Sequence, residues 1–264
     1  MGKTLIYTDF DGTITGRDGS KTVFSTFYAS LQQAPDKNNY RLSPLKNNEE
    51  VQQLFRTKFG EFTSDFDYTK EDADMLMHKD AVIFFHELLQ QENVIISIVT
   101  KNRADYIQAM LQYQGFSAEE INKINIMDSG RKYTDVNWHI QQQKGNESID
   151  SIYIMDDSQA DYRAMIQAAQ ANGYAYCVSA HNEGVGQFKW SVYLDDIQRA
   201  LQTQMEEAPL EIESPDSPAF YPAFSLSPLV TSSGVTTFGV FTPAIPSLQV
   251  PDDVDKVEQT SLNV

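Results

Sequence analysis

An apolar run that ends on two carboxylates two residues apart, Leu5-Ile-Tyr-Thr-Asp9-Phe-Asp11-Gly12-Thr13, constrains this chain more than any other stretch. Side chains at i and i+2 of a strand point to one side. Asp9 therefore stands at the carboxyl end of a buried strand, with Asp11 just beyond it and Gly12 permitting a sharp turn. Open α/β sheets place their ligands at that end of their strands. Two carboxylates there suit phosphoryl transfer. Once a cation neutralises it and the phosphate, one carboxylate can attack phosphorus, while the other protonates the leaving oxygen and then activates water.

Three later stretches extend the pattern. A second apolar run, Val94–Val99, ends in Thr100-Lys101-Asn102, and a third, Ser151–Met155, ends in Asp156-Asp157 with Asp161 four residues on. Between them lies Lys132, 25 residues before Asp157. Taken in order, these residues resemble the four motifs of the haloacid dehalogenase (HAD) superfamily of aspartate-nucleophile phosphatases, over roughly residues 3 to 200. The resemblance implies Asp9 as nucleophile and Asp11 as acid and base. It gives Thr100 and Lys132 the phosphoryl oxygens, with Lys101 and Asn102 as further substrate contacts. It implies Mg²⁺ held by Asp9, Asp157 and the carbonyl of Asp11, with Asp161 one helical turn on to orient a metal-bound water. An all-oxygen donor set of this kind suits Mg²⁺. Asp156 departs from the glycine common at its position and is either an acid behind the ligands or without a role. Arg131, Lys123 and Lys144 compete with Lys132, although Lys144 lies only 13 residues before Asp157, too close for a helix and a return to the sheet.

The bland alternatives are an Asp-Gly turn closing an ordinary strand and, for Thr100 and Asn102, a plain helix cap. The first does not account for three separate strand-end motifs. The second coexists with function, because a helix N-terminus with free N–H groups also cradles phosphate.

At 264 residues the chain can bury one sizeable core and a small second lobe. Its formal charge of −17 argues against nucleic acid or an anionic membrane as a general partner, since both need a basic face. The single cysteine, Cys177, excludes an intrachain disulfide, reads as a buried strand residue and fits a reducing, cytoplasmic setting. Met1-Gly-Lys-Thr runs straight into the first strand, leaving no room for a signal peptide, and no 18-residue apolar run is present to span a membrane. The four histidines show no metal-ligand spacing.

Strands alternating with helical stripes predict a doubly wound parallel sheet with helices on both faces, the Rossmann-like plan of HAD proteins. Residues 1–205 form that domain, with a small helical insertion over about 16–79 that carries helices at Val23–Leu31 and Val51–Phe59, the second closed by Gly60. Phe62–Tyr68 has no clear period. Asp80 is the expected N-cap of a helix over Ala81–Gln91 that buries Val82, Phe85, His86 and Leu89. A helix after Asn102 buries Ile107, Met110, Leu111 and Gln114, and Ser117–Glu120 is a capping box. Ile124–Met127 is a short strand, Tyr162–Ala169 a helix ended by Asn172-Gly173, Tyr174–Val178 the fifth strand, and Tyr193–Leu201 the last helix. From residue 206 the composition changes. Eight of ten prolines fall there and no Lys or Arg occurs between Arg199 and Lys256, so 206–264 reads as a disordered Pro/Ser-rich acidic tail.

These readings converge on a Mg²⁺-dependent phosphomonoester phosphatase acting on a phosphorylated protein, through phosphotyrosine side chains, or on a small metabolite. A different class, a HAD-fold interaction protein whose tail binds a protein partner, is the alternative. The plan is also similar to HAD-type phosphatases that some intracellular bacteria deliver into host cells with a C-terminal secretion signal.

Overall fold

The computed structural model describes residues 2–17, 48–145 and 148–207. The helix expected at Val23–Leu31 and the tail from 208 onward lie outside the described residues. Five parallel strands, β1 (Lys3–Thr8), β2 (Val94–Val99), β3 (Asn125–Met127), β4 (Ile149–Met155) and β5 (Val178–His181), lie in the order β3-β2-β1-β4-β5. Chain order reverses between β1 and β4, so the carboxyl ends of these two strands flank the topological switch point where such sheets bind ligands.

Strand alternation sorts the core into two faces. Leu5 and Tyr7 of β1 point one way, with Ile152 and Ile154 of β4. They meet Val136 and Ile140 of α5 (Lys132–Lys144) and Met165, Ala168 and Ala169 of α6 (Gln159–Ala171). Ile6 points the other way, into a larger cluster with Phe84 and Phe85 of α2 (Lys79–Leu88) and Tyr106, Ile107 and Met110 of α3 (Ala104–Tyr113). Ile121 of α4 (Ala118–Lys123) and Tyr193, Ile197 and Leu201 of α7 (Trp190–Glu207) complete it. Helices thus cover both faces, as a parallel sheet requires.

The insertion rejoins the main core. In α1 (Asn48–Phe59), Phe55 is 1% exposed and lies 5.9 Å from the Tyr106 ring and 5.2 Å from that of Tyr113. Burying one such ring stabilises the contact by about 1.5–3 kcal/mol. Gly60, at φ 85, closes α1 by donating its N–H to the Arg56 carbonyl, and Tyr113 Oη donates to the Gly60 carbonyl at 2.9 Å. The aperiodic stretch Phe62–Tyr68 folds as turns whose Phe62, Phe66 and Tyr68 rings pack on one another. The two ends of the insertion are tied together by an antiparallel bridge between Thr15 and Met77 and by the Gly16 N–H on the Asp74 carbonyl at 2.8 Å.

Several sequence expectations shift. The cap of α2 is His78, whose Nδ1 accepts the Asp80 N–H, and Asp80 sits in the first turn. The buried stripe is Ala81, Phe84, Phe85 and Leu88, because the large cluster draws both phenylalanines inward and leaves Val82 and His86 half-buried. The fifth strand starts at Val178, while Tyr174–Cys177 forms the turn before it. Cys177 is therefore half-buried, with its thiol against the Tyr174 carbonyl. Gln114, expected on a buried face, is 1% exposed and pairs with both the N–H and the carbonyl of Met77, replacing strand-like bonds for that backbone. The capping box at Ser117 and Glu120 forms as expected.

Under the sheet, Tyr7 Oη and Nδ1 of His139, which is 5% exposed, share a hydrogen bond at 2.8 Å. Burial pushes this imidazole down to about 4. An unfolded histidine binds its proton near pH 6.5, so between about pH 6.5 and 4 the unfolded chain holds more protons and stability falls as pH falls. Urea unfolding at pH 7 and pH 4.5 should show wild type losing about 2–3 kcal/mol more than His139→Gln. Equal losses would remove His139 from the acid response.

Candidate active site

The face to which a strand residue points decides what it meets at the strand end. Asp9 continues the Leu5–Tyr7 side of β1, and Asp156 continues the Ile152–Ile154 side of β4, so both point toward α5. The first residue of α5 is Lys132, 4% exposed, and its Nζ lies 2.7 Å from Asp9 Oδ1 and 2.6 Å from Asp156 Oδ2. The ladder between β1 and β4 extends by one bond, Asp9 N–H to the Met155 carbonyl at 2.9 Å, which locks the two carboxylates side by side. Asp156 is fully buried, and its Oδ1 accepts the Ser158 N–H at 2.8 Å.

Asp157 approaches from the same strand end. Thr13 Oγ1 donates to Asp157 Oδ1 at 3.2 Å and accepts the Asp157 N–H at 3.1 Å. Gly12 makes the approach possible: it sits at φ 81, and a Cβ there would lie 2.7 Å from Asp157 Oδ2. Carboxylate oxygens of Asp9, Asp156 and Asp157 all lie within 4.8 Å of one another. Two of the three, Asp9 and Asp156, contact the ammonium of Lys132. Burial pushes the Asp9 carboxyl up to about 8, with Lys132 opposing and the neighbouring Asp156 and Asp11 adding to the rise. Burial also works against the Lys132 ammonium, but Asp9 and Asp156 outweigh it and hold the group above the ordinary lysine value. A cluster of hard oxygen donors with surplus negative charge is what a divalent cation of the Mg²⁺ type fits.

Around this centre stand the remaining predicted residues. Asp161, in the first turn of α6, accepts from Lys101 Nζ at 2.7 Å and lies 3.7 Å from Lys132 Nζ. Thr100, 1% exposed, ends β2, and its Oγ1 accepts the Asn102 N–H at 2.9 Å. That bond uses an acceptor site of the hydroxyl and leaves its proton to donate elsewhere. Asn102 Nδ2 contacts both Asp11 oxygens, at 3.2 and 3.0 Å. The side chain of Asp11 is outside the three-carboxylate group, as is that of Asp161. Of the residues competing for the lysine position, Lys123 Nζ lies by the Leu89 carbonyl and Lys144 Nζ by that of Asn172, both away from Asp9.

Sequence reasoning undervalued Asp156 and missed Thr13, Asn182 and Gly186. The loop after β5 seats on the site through Asn182 Nδ2 to the Asp156 carbonyl at 2.6 Å and the Gly186 N–H to the Gly12 carbonyl at 2.7 Å. Asp156 had a signal, the strand period that puts it on the α5 side. The loop had none.

No family model matches this chain, and no curated protein does. Solved structures do match. The Legionella pneumophila effector Ceg4, with an N-terminal TEV protease cleavage sequence, is 44% identical over 75% of this chain and 94% of its own, at a TM-score of 0.71. Ceg4 with an N-terminal yeast Hog1p sequence is likewise 44% identical over 75% and 95%, at 0.70. The HAD domain of the Legionella pneumophila effector Lem4 shares the fold at 24% identity, over 75% of this chain and 94% of its own, at 0.57. With the parallel sheet and the strand-end carboxylates, these likenesses place the chain in the HAD superfamily. Its likeness to the effector Ceg4, at 44% identity, is one of family and not of fold alone.

Proposed function

We propose that this chain is a Mg²⁺-dependent phosphomonoester hydrolase that works through a phosphorylated Asp9 and takes phosphotyrosine side chains of proteins as substrates. The observation that carries the reading is the Lys132 ammonium shared between Asp9 and Asp156 at the switch point, with Asp157 beside them. Asp9, Asp157 and the Asp11 carbonyl would hold Mg²⁺, whose charge offsets the repulsion between the entering phosphate and the carboxylates. Lys132 neutralises phosphoryl charge and keeps Asp9 aimed. Thr100 donates its hydroxyl proton to a phosphoryl oxygen, and Lys101 waits at the rim. Asp9 attacks phosphorus in line, Asp11 protonates the leaving oxygen, and Asp11 then takes a proton from the water that releases phosphate. Asp156 anchors Lys132 from behind.

The substrate reading rests on the insertion. Among the described side chains of α1, Phe55 packs on Tyr106 and Tyr113 of α3 and Phe59 is buried in the same cluster, so neither ring is available to lie over a small molecule. Closure over a small substrate needs such a face. An open cleft favours a long side chain that can bring phosphate to the 8%-exposed Asp9. The likeness to effectors, together with the absence, among the described helices, of one long and apolar enough to cross a membrane, supports action inside a host cell after translocation. The test is kcat/KM at fixed Mg²⁺, and again in EDTA, for a phosphotyrosine peptide, free phosphoserine and glucose 6-phosphate. The peptide should win by about tenfold, or 1.4 kcal/mol, and EDTA should silence all three. A tenfold preference for a small metabolite would overturn the protein-substrate reading, and full activity in EDTA the metal.

A further inference from the structure

Asn102 is 2% exposed at the end of β2, and both ends of its side-chain amide are engaged. Its Oδ1 accepts the Arg103 N–H at 2.7 Å, and its Nδ2 donates to Asp11 Oδ1 at 3.2 Å and Oδ2 at 3.0 Å. The first bond fixes the second. Turning the amide over would set its NH₂ against a backbone N–H, donor to donor, so the donor end must face Asp11. Asn102 is itself held by its own N–H on Thr100 Oγ1 at 2.9 Å, in the bend that follows β2. Asp11 stands past the end of β1, next to Gly12 at φ 81, where the backbone alone does not set a side-chain direction. A contact through both oxygens restricts rotation of the carboxyl group, and misplacement of a proton donor by about 1 Å can cost on the order of 10²-fold in rate.

We infer that Asn102 is a positioning residue for Asp11, holding that carboxyl where it protonates the departing oxygen, so that dependence on Asn102 grows as the leaving group becomes poorer. This rests on the phosphatase reading above and names how the same site discriminates among esters. In the first half-reaction an Asp9 oxygen bonds to phosphorus, the bond from phosphorus to the substrate oxygen breaks, and its electron pair takes the proton of Asp11. In the second, water oxygen bonds to phosphorus, the bond to Asp9 breaks, and a water proton returns to Asp11. The sum is hydrolysis. A p-nitrophenolate departs without a proton, whereas an unactivated phenol, like the tyrosine side chain with its pKa of about 10, gains from one.

The experiment compares kcat/KM, which covers events up to departure of the first product, for phenyl phosphate and p-nitrophenyl phosphate with Mg²⁺. Asn102→Ala should lower the phenyl value about 10- to 100-fold more than the p-nitrophenyl value. Asn102→Asp keeps an acceptor for the Arg103 N–H and lacks the donor, so it should show the same change in ratio. An equal loss on both esters, or no loss on either, in the folded variants overturns the inference. Wild type that hydrolyses neither ester overturns the phosphatase reading with it. Wild type that hydrolyses both, beside variants with an unchanged ratio, overturns the role of Asn102 alone.

Discussion

Asp9→Asn should lower turnover by at least about 10⁴-fold, some 5.5 kcal/mol of transition-state stabilisation, while leaving the thermal midpoint in EDTA unchanged or raised. The amide keeps the shape of the side chain and can still meet Lys132. It cannot attack phosphorus, and it withdraws one anionic ligand. Stability goes the other way because Asp9 is 8% exposed and crowded by Asp156 and Asp157. Burial already favours its neutral form, pushing the carboxyl up to about 8. Removing one of the three clustered carboxylates relieves repulsion in the metal-free chain. Thermal melts and phosphate release on one preparation check both parts. A variant that is inactive and also strongly destabilised would mean that the Asp9 charge holds the fold rather than doing chemistry.

Lys132→Met is expected to act on both quantities in one direction. Lys132 is 4% exposed and is the ammonium that both Asp9 and Asp156 contact, at 2.7 and 2.6 Å. Breaking a buried pair by removing one partner leaves an uncompensated charge and typically costs about 3–5 kcal/mol. Urea unfolding in EDTA should show a loss of that size, and adding Asp156→Asn to the same chain should return part of it, because the remaining charge is then Asp9 alone. Catalysis should fall about 10²–10³-fold even with Mg²⁺, the usual loss when a fixed donor to developing negative charge is removed. A single variant within about 0.5 kcal/mol of wild type, the range of ordinary surface changes, would show that the two carboxylates do not depend on this lysine.

Much of this site was readable from residue order, for a physical reason. A parallel sheet gathers strand ends, and an apolar run followed at once by Asp or Thr marks such an end. Asp9, Thr100 and Asp157 were legible on that ground, and the first residue of α5 was legible as a lysine at the right distance along the chain. What stayed hidden depended on direction or on loops. Asp156 stood out only as a departure from glycine, yet the strand period places it on the α5 face, where it shares Lys132 with Asp9. Thr13, Asn182 and Gly186 act through one or two bonds from turns and loops that carry no period. The expected stripe of α2 held at Phe85 and Leu89 and missed at Val82 and His86, because Phe84 and Phe85 are adjacent and both go inward, toward Trp190 at 5.0 and 6.5 Å. A single-face pattern cannot express a helix buried on two sides. The fifth strand was placed early because Tyr174–Cys177 has strand-like composition, while Gly173 at φ 90 leads it into a turn.

Covalent chemistry at Asp9 is the claim on which the rest depends, and trapping tests it directly. The full chain is mixed with a phosphotyrosine peptide and Mg²⁺, quenched within the turnover time and treated with borohydride, which reduces an acyl phosphate to an alcohol and releases phosphate. Peptide mass spectrometry should then find homoserine at position 9, dependent on substrate and absent when Mg²⁺ is withheld. Turnover that proceeds with an unmodified position 9, or with phosphate on a histidine or on Cys177 instead, would contradict the account.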